Sequence, residues 1–343
     1  MTVEKTGRRI GDSVVNVLNG MAQGLFASLI IGLIIKQIGH YAHIPLLENF
    51  GQIAQYLTGP AIGVGVAVAL KAPNLAVFAA ACCGAVGAGT IVLGEGAQFI
   101  GLTLGEPLGA CIASLAGAYC GKKIAGKTKV DILLVPLTTI LVGSLVGTFV
   151  SPVVSAFMTA IGAFINKLTT LYPFPMGILV STVVGMVLTL PISSAAICIS
   201  LGLDGLAAGA ACVGCCCQMI GFAVSSYREN GVGGLISQGL GTSMLQIPNI
   251  WKNWKIWIPP TLASAIIGPV STCLFKMTNN ASGAGMGTSG LVGQFNAIAV
   301  MGAGSIWKIL VVHFLLPALL SLLISELMRK KGWIKSGDML LQA

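Results

Sequence analysis

Charged residues are scarce in this sequence. Of its 343 residues, 19 are Lys or Arg and 10 are Asp or Glu, whereas hydrophobic residues make 55% of the chain and the mean hydropathy is +0.91. So few charges exclude the solvated surface of an ordinary water-soluble domain. No hydrophilic block between the apolar segments is long enough for a cytosolic domain, so we expect no ATP-binding cassette and no P-loop. Apolar windows this long can cross a hydrocarbon core of about 30 Å, which predicts an integral protein of the lipid bilayer.

The sequence also lacks a basic face for nucleic acid, although its formal charge is +9. Lys and Arg are dispersed between apolar segments and do not form a surface with interleaved aromatic residues, so no nucleic-acid partner is predicted. They concentrate in clusters at the start, in one loop and at the end: Lys5, Arg8 and Arg9; Lys122, Lys123, Lys127 and Lys129; Arg329, Lys330, Lys331 and Lys335. The positive-inside rule places such clusters in the cytoplasm. Both termini are therefore predicted to be cytoplasmic, without a cleavable signal peptide.

A paired metal-binding motif is missing as well, although the sequence has ten cysteines. The cysteines lie almost entirely inside apolar segments, where this residue behaves as a small hydrophobe. Cys212 and Cys215 form a C-x-x-C, yet no second such pair exists, and the histidines His40, His43 and His313 are far away in sequence. We therefore expect no metal and no cofactor, and we interpret the thiols as small residues that pack helices.

Apolar segments of sufficient length predict a helical membrane protein. The segments are residues 21–39, 53–70, 75–93, 104–120, 132–158, 174–201, 206–226, 256–275 and 306–327. Residues 231–248 and 281–304 are too polar to face lipid and are predicted to be re-entrant or interfacial pieces buried among helices. Pro191 splits the run 174–201, which makes that run a candidate hairpin or extra crossing. The predicted fold is an all-α polytopic membrane protein with about 9–10 transmembrane helices and re-entrant hairpins.

Four short blocks follow one another in an order that is typical of one transporter family. They are residues 59–87, which open with GPAIGVGVA and continue through KAPNL to GAVG, residues 107–119 (PLGACIASLAGAY), residues 134–137 (LVPL) and residues 228–231 (RENG). Together they resemble the fructose-type membrane component, IIC, of bacterial phosphotransferase-system permeases. The resemblance covers roughly residues 59–304 and implies an IIC-like transporter fold.

The sequence departs from that family at positions tied to sugar phosphorylation. Where the family carries GGPxNKxA, a polar break that lines the sugar site, this chain reads TLPISSAA, with Ser193 and Ser194 at the Asn and Lys positions. Where the family carries ITEGAIPF, whose glutamate contacts a sugar hydroxyl, this chain reads TSMLQIPN, with Met244 at the glutamate position. A thioether is only a weak acceptor and cannot deprotonate a hydroxyl. The pattern is similar to a divergent branch of the family that includes clostridial perfringolysin regulator-like proteins.

The resemblance also implies how the chain is organised. We expect an amphipathic cytoplasmic segment at residues 1–20, a single IIC-like membrane domain at residues 21–327 with scaffold and transport subdomains, and a short basic cytoplasmic tail at residues 328–343. A homodimer in the bacterial cytoplasmic membrane is implied, with a small polar, sugar-like solute as substrate. Separate IIA and IIB proteins, or a regulatory protein, are the partners that such a chain could have.

The substrate site is predicted where the lipid-compatible pattern changes to polar, Gly-rich chain. Irregular backbone at membrane depth is tolerated only when it lines a cavity or is buried in protein. The pattern changes at the Pro191 break, at residues 239–248 and at residues 279–290. A further break, Gly-Glu-Pro at residues 105–107, adds the carboxylate of Glu106. The predicted substrate-binding residues are Pro191, Ser193, Ser194, Thr242, Ser243, Met244, Gln246, Asn279, Asn280, Ser282, Gly283, Thr288, Ser289 and Glu106; no catalytic residue is predicted.

Several of these residues have a simpler interpretation. Residues 279–290 could form a solvent-exposed connection between two spans. Glu106 and Glu95 could face a hydrated cavity or lie solvated at the membrane interface. Asp204 follows a segment end and is better explained as a helix N-cap. His313 in the final helix is better explained as a packing residue.

The sequence therefore supports three functional hypotheses. The first is a permease that moves a small polar solute by an elevator-type mechanism without phosphorylating it. The second is a membrane-embedded ligand sensor that retains the IIC fold. The third is a sugar-phosphorylating IIC that works with separate IIA and IIB proteins, and only in that case would the chain take part in an enzymatic reaction.

Overall fold

The computed structural model describes residues 2–94, 96 and 98–341. Helices make nearly all of the described structure, which confirms the predicted helical class. The chain divides into two units, Met1–Ala156 and Phe157–Ala343. The boundary lies inside one helix.

The first unit contains short helices of 12 to 24 residues and one hairpin before that boundary helix. In chain order the elements are α1 (Thr2–Leu25), α2 (Ile31–Ala42), α3 (Pro45–Tyr56), α4 (Thr58–Ala69), α5 (Asn74–Ala88), β1 (Ile91–Leu93), β2 (Phe99–Leu102), α6 (Pro107–Ile124) and α7 (Asp131–Thr169). A π-helical turn, Phe26–Ile30, joins α1 to α2.

In the first unit, α4 packs against α1, α5 and α6. The contact with α1 is close because Gly20 and Gly65 face each other, and a β-carbon on either would overlap the carbonyl oxygen of the other. Gly63 lies against the backbone of Ala80 in α5 in the same way. Lipid tails are as apolar as leucine, so helices in a bilayer associate through such close packing of small residues.

Two predicted segments of the first unit have different bounds in the structure. The run 53–70 is broken at Leu57, so it forms the end of α3 and all of α4, which is too short at 12 residues to cross a bilayer alone. The run 75–93 ends as a helix at Ala88, because Gly89 adopts a left-handed conformation with φ 67° and closes α5. The strands that follow pair antiparallel, and this hairpin was not predicted.

The second unit begins within α7 and is built around one buried helix. Its further helices are α8 (Pro173–Thr189), α9 (Ser194–Ser200), α10 (Gly205–Ser225), α11 (Tyr227–Ile236), α12 (Ile247–Lys252), α13 (Ile258–Pro269), α14 (Ala281–Ala284), α15 (Val292–Met301), α16 (Ile306–Ile309) and α17 (Leu316–Lys330). The central helix is α10, which packs against α8, α13 and α17 and buries most of its residues. It corresponds to the predicted segment 206–226.

Irregular helical turns connect several of these helices. The π-helical turns are Ser237–Gly241, Val270–Phe275 and Leu310–Leu315, and the 3-10 turns are Ser243–Gln246, Trp254–Trp257, Ser289–Leu291 and Ala303–Ser305. The marginal stretches 231–248 and 281–304 are made of such short pieces, as their Gly, Ser and Thr content suggests. Such π-helical turns often accompany functional sites.

Among the described residues, five helical stretches are long and apolar enough to span a membrane. They are Ser13–His40, Asp131–Thr169, Gly205–Ser225, Trp254–Phe275 and Ala303–Lys330. Shorter apolar helices of 10–17 residues accompany them: Thr58–Ala69, Asn74–Ala88, Pro173–Thr189 and Ser289–Met301. The count of 9–10 transmembrane helices stays a prediction.

Candidate functional site

The first part of the predicted site is the break between α8 and α9. Helix α8 ends at Thr189, and α9 begins at Ser194 after residues 190–193, where half-buried Pro191 cannot donate a helical hydrogen bond. The Oγ of Ser193 accepts a hydrogen bond from the amide of Ala196 at 3.2 Å and so caps α9. The sequence therefore placed the break correctly, and its first serine has a structural role.

The second part is the run of short turns at residues 237–246, which we call the turn segment. Thr242 has extended backbone angles, and its Oγ1 accepts a hydrogen bond from the amide of Met244 at 3.2 Å. Ser243 and Met244 are buried, with 0% and 5% exposure. Met244, at the position that resembles the family's glutamate, therefore lies inside the protein.

The third part is the Gly-rich loop, residues 279–290. The Oδ1 of Asn280 caps the short helix α14 by accepting a hydrogen bond from the amide of Gly283 at 3.0 Å. The Nδ2 of Asn279 donates to the carbonyl of Gly293 at 3.0 Å, and its Oδ1 accepts from the amide of Asn280. Gly283 lies directly against Asn279, where a β-carbon would overlap the amide. The loop is thus folded and mostly buried, which overturns the alternative of a solvent-exposed connection.

Hydrogen bonds between side chains and backbone bring these three parts together. The hydroxyl groups of Thr189, at the end of α8, and Ser243, in the turn segment, are 2.8 Å apart. Ser194 donates to the carbonyl of Gly285 in the Gly-rich loop at 2.7 Å. Thr288 in that loop donates to the carbonyl of Gly239 in the turn segment at 2.5 Å. Each part is therefore hydrogen-bonded to the other two, and their role as a solute site stays a prediction.

A buried glutamine beside this cluster was missed in the sequence. Gln218 in α10 is fully buried, and its Oε1 accepts from the Thr189 hydroxyl at 3.2 Å and from the indole nitrogen of Trp257 at 2.9 Å. Its Nε2 donates to the Thr261 hydroxyl at 3.0 Å. The available signal was a single amide in an otherwise apolar span, because a polar group in that setting requires partners.

Most predicted site side chains have internal partners. Gln246 donates to the Gln238 amide oxygen at 2.8 Å and to the carbonyl of Met339 at 3.0 Å, and it accepts from Asn249 at 2.8 Å. By contrast, the Oγ of Ser289 is buried and has no hydrogen-bond partner among the described residues. Ser282 is exposed. Ser289 is therefore the buried hydroxyl of the loop with capacity left for a ligand.

The C-terminal tail folds back onto the turn segment. Besides the bond from Gln246 to Met339, the side-chain Nδ2 of Asn249 donates to the carbonyl of Leu340 at 3.0 Å, and the side-chain Nδ2 of Asn230 donates to the carbonyl of Met339 at 2.9 Å. Arg329 and Glu229, whose side chains are 13% and 6% exposed, form an ion pair at 3.1 Å beside it. The RENG block thus holds the tail in place.

A cavity of about 440 Å³ lies at a different place in the second unit. It is lined by residues of the α7 end, the α8 start and the connection between α9 and α10, and none of its lining residues was predicted as a site residue. Asp204 is one of them and stands at the N-cap position of α10, as predicted, although its side chain makes no capping hydrogen bond to the described residues. The nearby Gly205 carbonyl accepts from the amide of Asn279 at 3.2 Å, which connects this cavity wall to the Gly-rich loop.

Glu106 belongs to the first unit. It is half-buried at the N-cap position of α6, and its amide donates to the carbonyl of Ala88 at 2.9 Å. Its role in a hydrated cavity stays a prediction. Glu95 lies outside the described residues.

Comparison with known proteins gives one result for the whole chain. No curated protein and no solved structure matches it. A family model described as "Phosphotransferase system, EIIC" matches residues 15–341, nearly the full length. The match includes every predicted site residue and confirms, at the level of the family, the resemblance that the four sequence blocks carry. The chain therefore belongs to the phosphotransferase system EIIC family, the multi-pass membrane components that act as sugar permeases.

Proposed function

We propose that this protein moves a neutral, sugar-like solute across the bacterial cytoplasmic membrane by an elevator-type motion and does not phosphorylate it. It acts as a homodimer, with both termini in the cytoplasm, and belongs to the divergent branch that includes clostridial perfringolysin regulator-like proteins. The solute binds among the α8–α9 break, the turn segment and the Gly-rich loop. Glu106 stays a predicted solute contact.

One observation carries the proposal: the three hydrogen-bonded parts are polar but contain no Asp, Glu, Lys, Arg or His. Hydroxyl, amide and backbone groups offer directional hydrogen bonds to a polyhydroxylated solute without a net charge. A charged solute would leave water for a site that offers no counter-charge, which is costly in a membrane interior.

The same observation argues against phosphoryl transfer. A sugar hydroxyl that attacks a phosphoryl group must be oriented and must lose its proton to a positioned acceptor. Buried Met244 stands where the family has its glutamate, and Ser193 caps a helix where the family has asparagine. Neither the thioether nor the capping hydroxyl can take that proton at neutral pH.

The proposal can be tested with purified protein in vesicles. A panel of sugars is first screened for thermal stabilisation, since a ligand at a hundred times its dissociation constant adds about 2.7 kcal/mol. Vesicles are then given the stabilising sugar in labelled form, with and without a phosphotransferase cascade that includes IIA and IIB proteins. We expect unmodified sugar inside the vesicles in both cases. Thr148→Ala changes an exposed helix position outside the proposed site and should behave like the wild type. Sugar phosphate inside the vesicles would refute the proposal and support the phosphorylating alternative.

A second candidate function, ligand sensing, is favoured by the C-terminal tail. Gln246 belongs to the turn segment of the proposed site and also donates to the Met339 carbonyl at 3.0 Å. A solute that shifts the turn segment would therefore loosen or tighten the tail. For a sensor we expect sugar to change hydrogen exchange of the tail without any uptake, and Gln246→Leu to remove that change. Uptake that persists in Gln246→Leu would favour transport.

A further inference from the structure

Three metal-ligating side chains meet in the second unit, outside the proposed solute site. Cys212 and Cys216 lie one turn apart on α10, and His313 lies in the π-helical turn Leu310–Leu315. All three are buried, and their ligand atoms lie within 4.8 Å of one another. The long sequence distance between these cysteines and His313, which led us to expect no metal, is closed by the fold. The motif that matters is C-x-x-x-C and not the C-x-x-C of Cys212 and Cys215.

A fourth side chain points to a ligand at this cluster. Gln294 in α15 is 5% exposed, and its Nε2 lies 3.1 Å from the His313 Nδ1 and 3.4 Å from the Cys216 Sγ. Its Oε1 is buried and has no hydrogen-bond partner among the described residues. The oxygen and nitrogen of an amide are interchangeable by a half-turn of the group. That half-turn directs the unpartnered oxygen to the two ligand atoms.

We propose that Cys212, Cys216, His313 and Gln294 bind one Zn²⁺ ion that fastens the Gly-rich loop to the core of the second unit. Two thiolates and one imidazole nitrogen are ligands that zinc takes in proteins, and the amide oxygen of Gln294 would occupy the fourth position. Two thiolates also neutralise a divalent cation, so that the complex carries no net charge within the apolar interior. A monovalent copper ion with the same two thiolates would leave a buried negative charge.

The geometry needs only a small adjustment. Zinc–sulfur bonds of about 2.3 Å place two sulfurs of a tetrahedral site roughly 3.8 Å apart, so the present separation of up to 4.8 Å requires a contraction of about 1 Å. Rotation of the cysteine side chains and of Gln294 can provide it. Gly293, next to Gln294, lies against the Cys212 sulfur, and Gly287 lies against the α10 backbone at Cys215 and Cys216. A metal here would therefore fix the loop that carries Thr288 and Ser289.

The test is the metal content of the full-length protein. Protein is purified in detergent from cells supplied with zinc, washed with a weak chelator and analysed for zinc and copper by mass spectrometry. We expect about one zinc per chain, and an absorption band from thiolate-to-cobalt charge transfer when Co²⁺ replaces it. Wild-type protein that is folded and contains no zinc would overturn the proposal, and an equal amount of copper would overturn the choice of cation.

Variants distinguish these ligands from other buried thiols. Cys212→Ser with Cys216→Ser, and His313→Ala alone, should each lose at least nine-tenths of the zinc. Cys215→Ser and Cys217→Ser, buried on the same helix outside the cluster, should retain it. Equal loss in both groups would refute the assignment. If the ligand variants do not fold, a mercurial reagent added to wild-type protein should release one zinc as the thiols react, and no release would count against the site.

Discussion

The two units hold their helices together in different ways, although both consist of apolar, Gly-rich sequence. Among the described residues, the first unit has one buried amide side chain, Gln55, and relies on close contacts such as Gly20 with Gly65. The second unit also has close glycine contacts, for example Gly177 with Gly268, but adds six buried amides. These are Gln218, Gln238, Gln246, Asn249, Asn279 and Gln294.

The difference shows two ways in which a membrane protein can hold its helices together. Close contact between small residues stabilises helices by dispersion but offers no polar group to a solute. Buried amides stabilise the second unit only while each one has partners, and they supply donors and acceptors where the backbone is irregular. We therefore expect the first unit to be sensitive to side-chain size and the second to be sensitive to the loss of hydrogen bonds.

The largest effect is expected from added size in the first unit. Gly65→Val should prevent α1 from packing on α4, because the new β-carbon would overlap the carbonyl oxygen of Gly20 and helix backbone cannot move aside. The loss of unfolding free energy should exceed the cost of ordinary overpacking, which is about 1–3 kcal/mol. Size-exclusion chromatography and thermal unfolding in detergent measure it. Gly101→Ala, with open space around its β-carbon, is the control, and a wild-type melting temperature in Gly65→Val would contradict the packing described.

The next effect concerns the buried ion pair of the second unit. Arg329→Ala leaves the Glu229 carboxylate buried without its cation, which should cost about 3–5 kcal/mol of unfolding free energy. Arg228→Ala is a matched control: Arg228 pairs with Glu326 at 3.0 Å, but its side chain is 69% exposed, so about 1 kcal/mol or less is expected. Denaturation in detergent compares the two. Equal losses would mean that burial does not distinguish these pairs.

A smaller loss is expected from Gln218→Leu. The substitution removes the partner of Trp257 and Thr261 and one partner of Thr189, which should destabilise the second unit by about 2 kcal/mol. Gln23→Leu changes an exposed amide of α1 in the first unit and should have little effect. Thermal unfolding of both variants tests the contrast between the units. An unchanged Gln218→Leu would show that the buried amide network does not stabilise the fold.

The helical class and the positions of the polar breaks could be predicted from the sequence. Apolar length identified α10, and Pro191 marked a break that the structure places at residues 190–193. The break at Leu57 was missed although Thr58, Gly59 and Pro60 follow it directly. Proline in the first turn of a helix marks a helix start, and α4 begins at Thr58. The β-hairpin was missed although Gly94 and Gly96 follow the first strand, because its strands have only three and four residues and read as the end of the preceding apolar run.

The partners of the site residues could be predicted only in part. Sequence patterns located the three polar breaks but not the hydrogen bonds that join them, since these connect residues as far apart in sequence as Ser194 and Gly285. The same limit applies to the cysteine–histidine cluster, since the sequence does not show that the fold brings His313 to Cys212 and Cys216. Distance along the chain says little about distance in a helical membrane fold.

The smallest effect on stability, and the most specific effect on function, is expected from Ser289→Ala. The Oγ of Ser289 is buried and unpartnered among the described residues, so its removal should change the unfolding free energy by no more than about 0.5 kcal/mol. If a solute hydroxyl bonds to this oxygen, the variant should bind the sugar about tenfold more weakly, a loss of about 1.4 kcal/mol. Ser271→Ala is the matched control, because its Oγ is likewise buried without a described partner but lies in the turn Val270–Phe275, outside the proposed site. Sugar-induced stabilisation should fall in Ser289→Ala and persist in Ser271→Ala. Equal stabilisation of both variants would exclude Ser289 from the solute site. The cavity beside Asp204 would then be the alternative site.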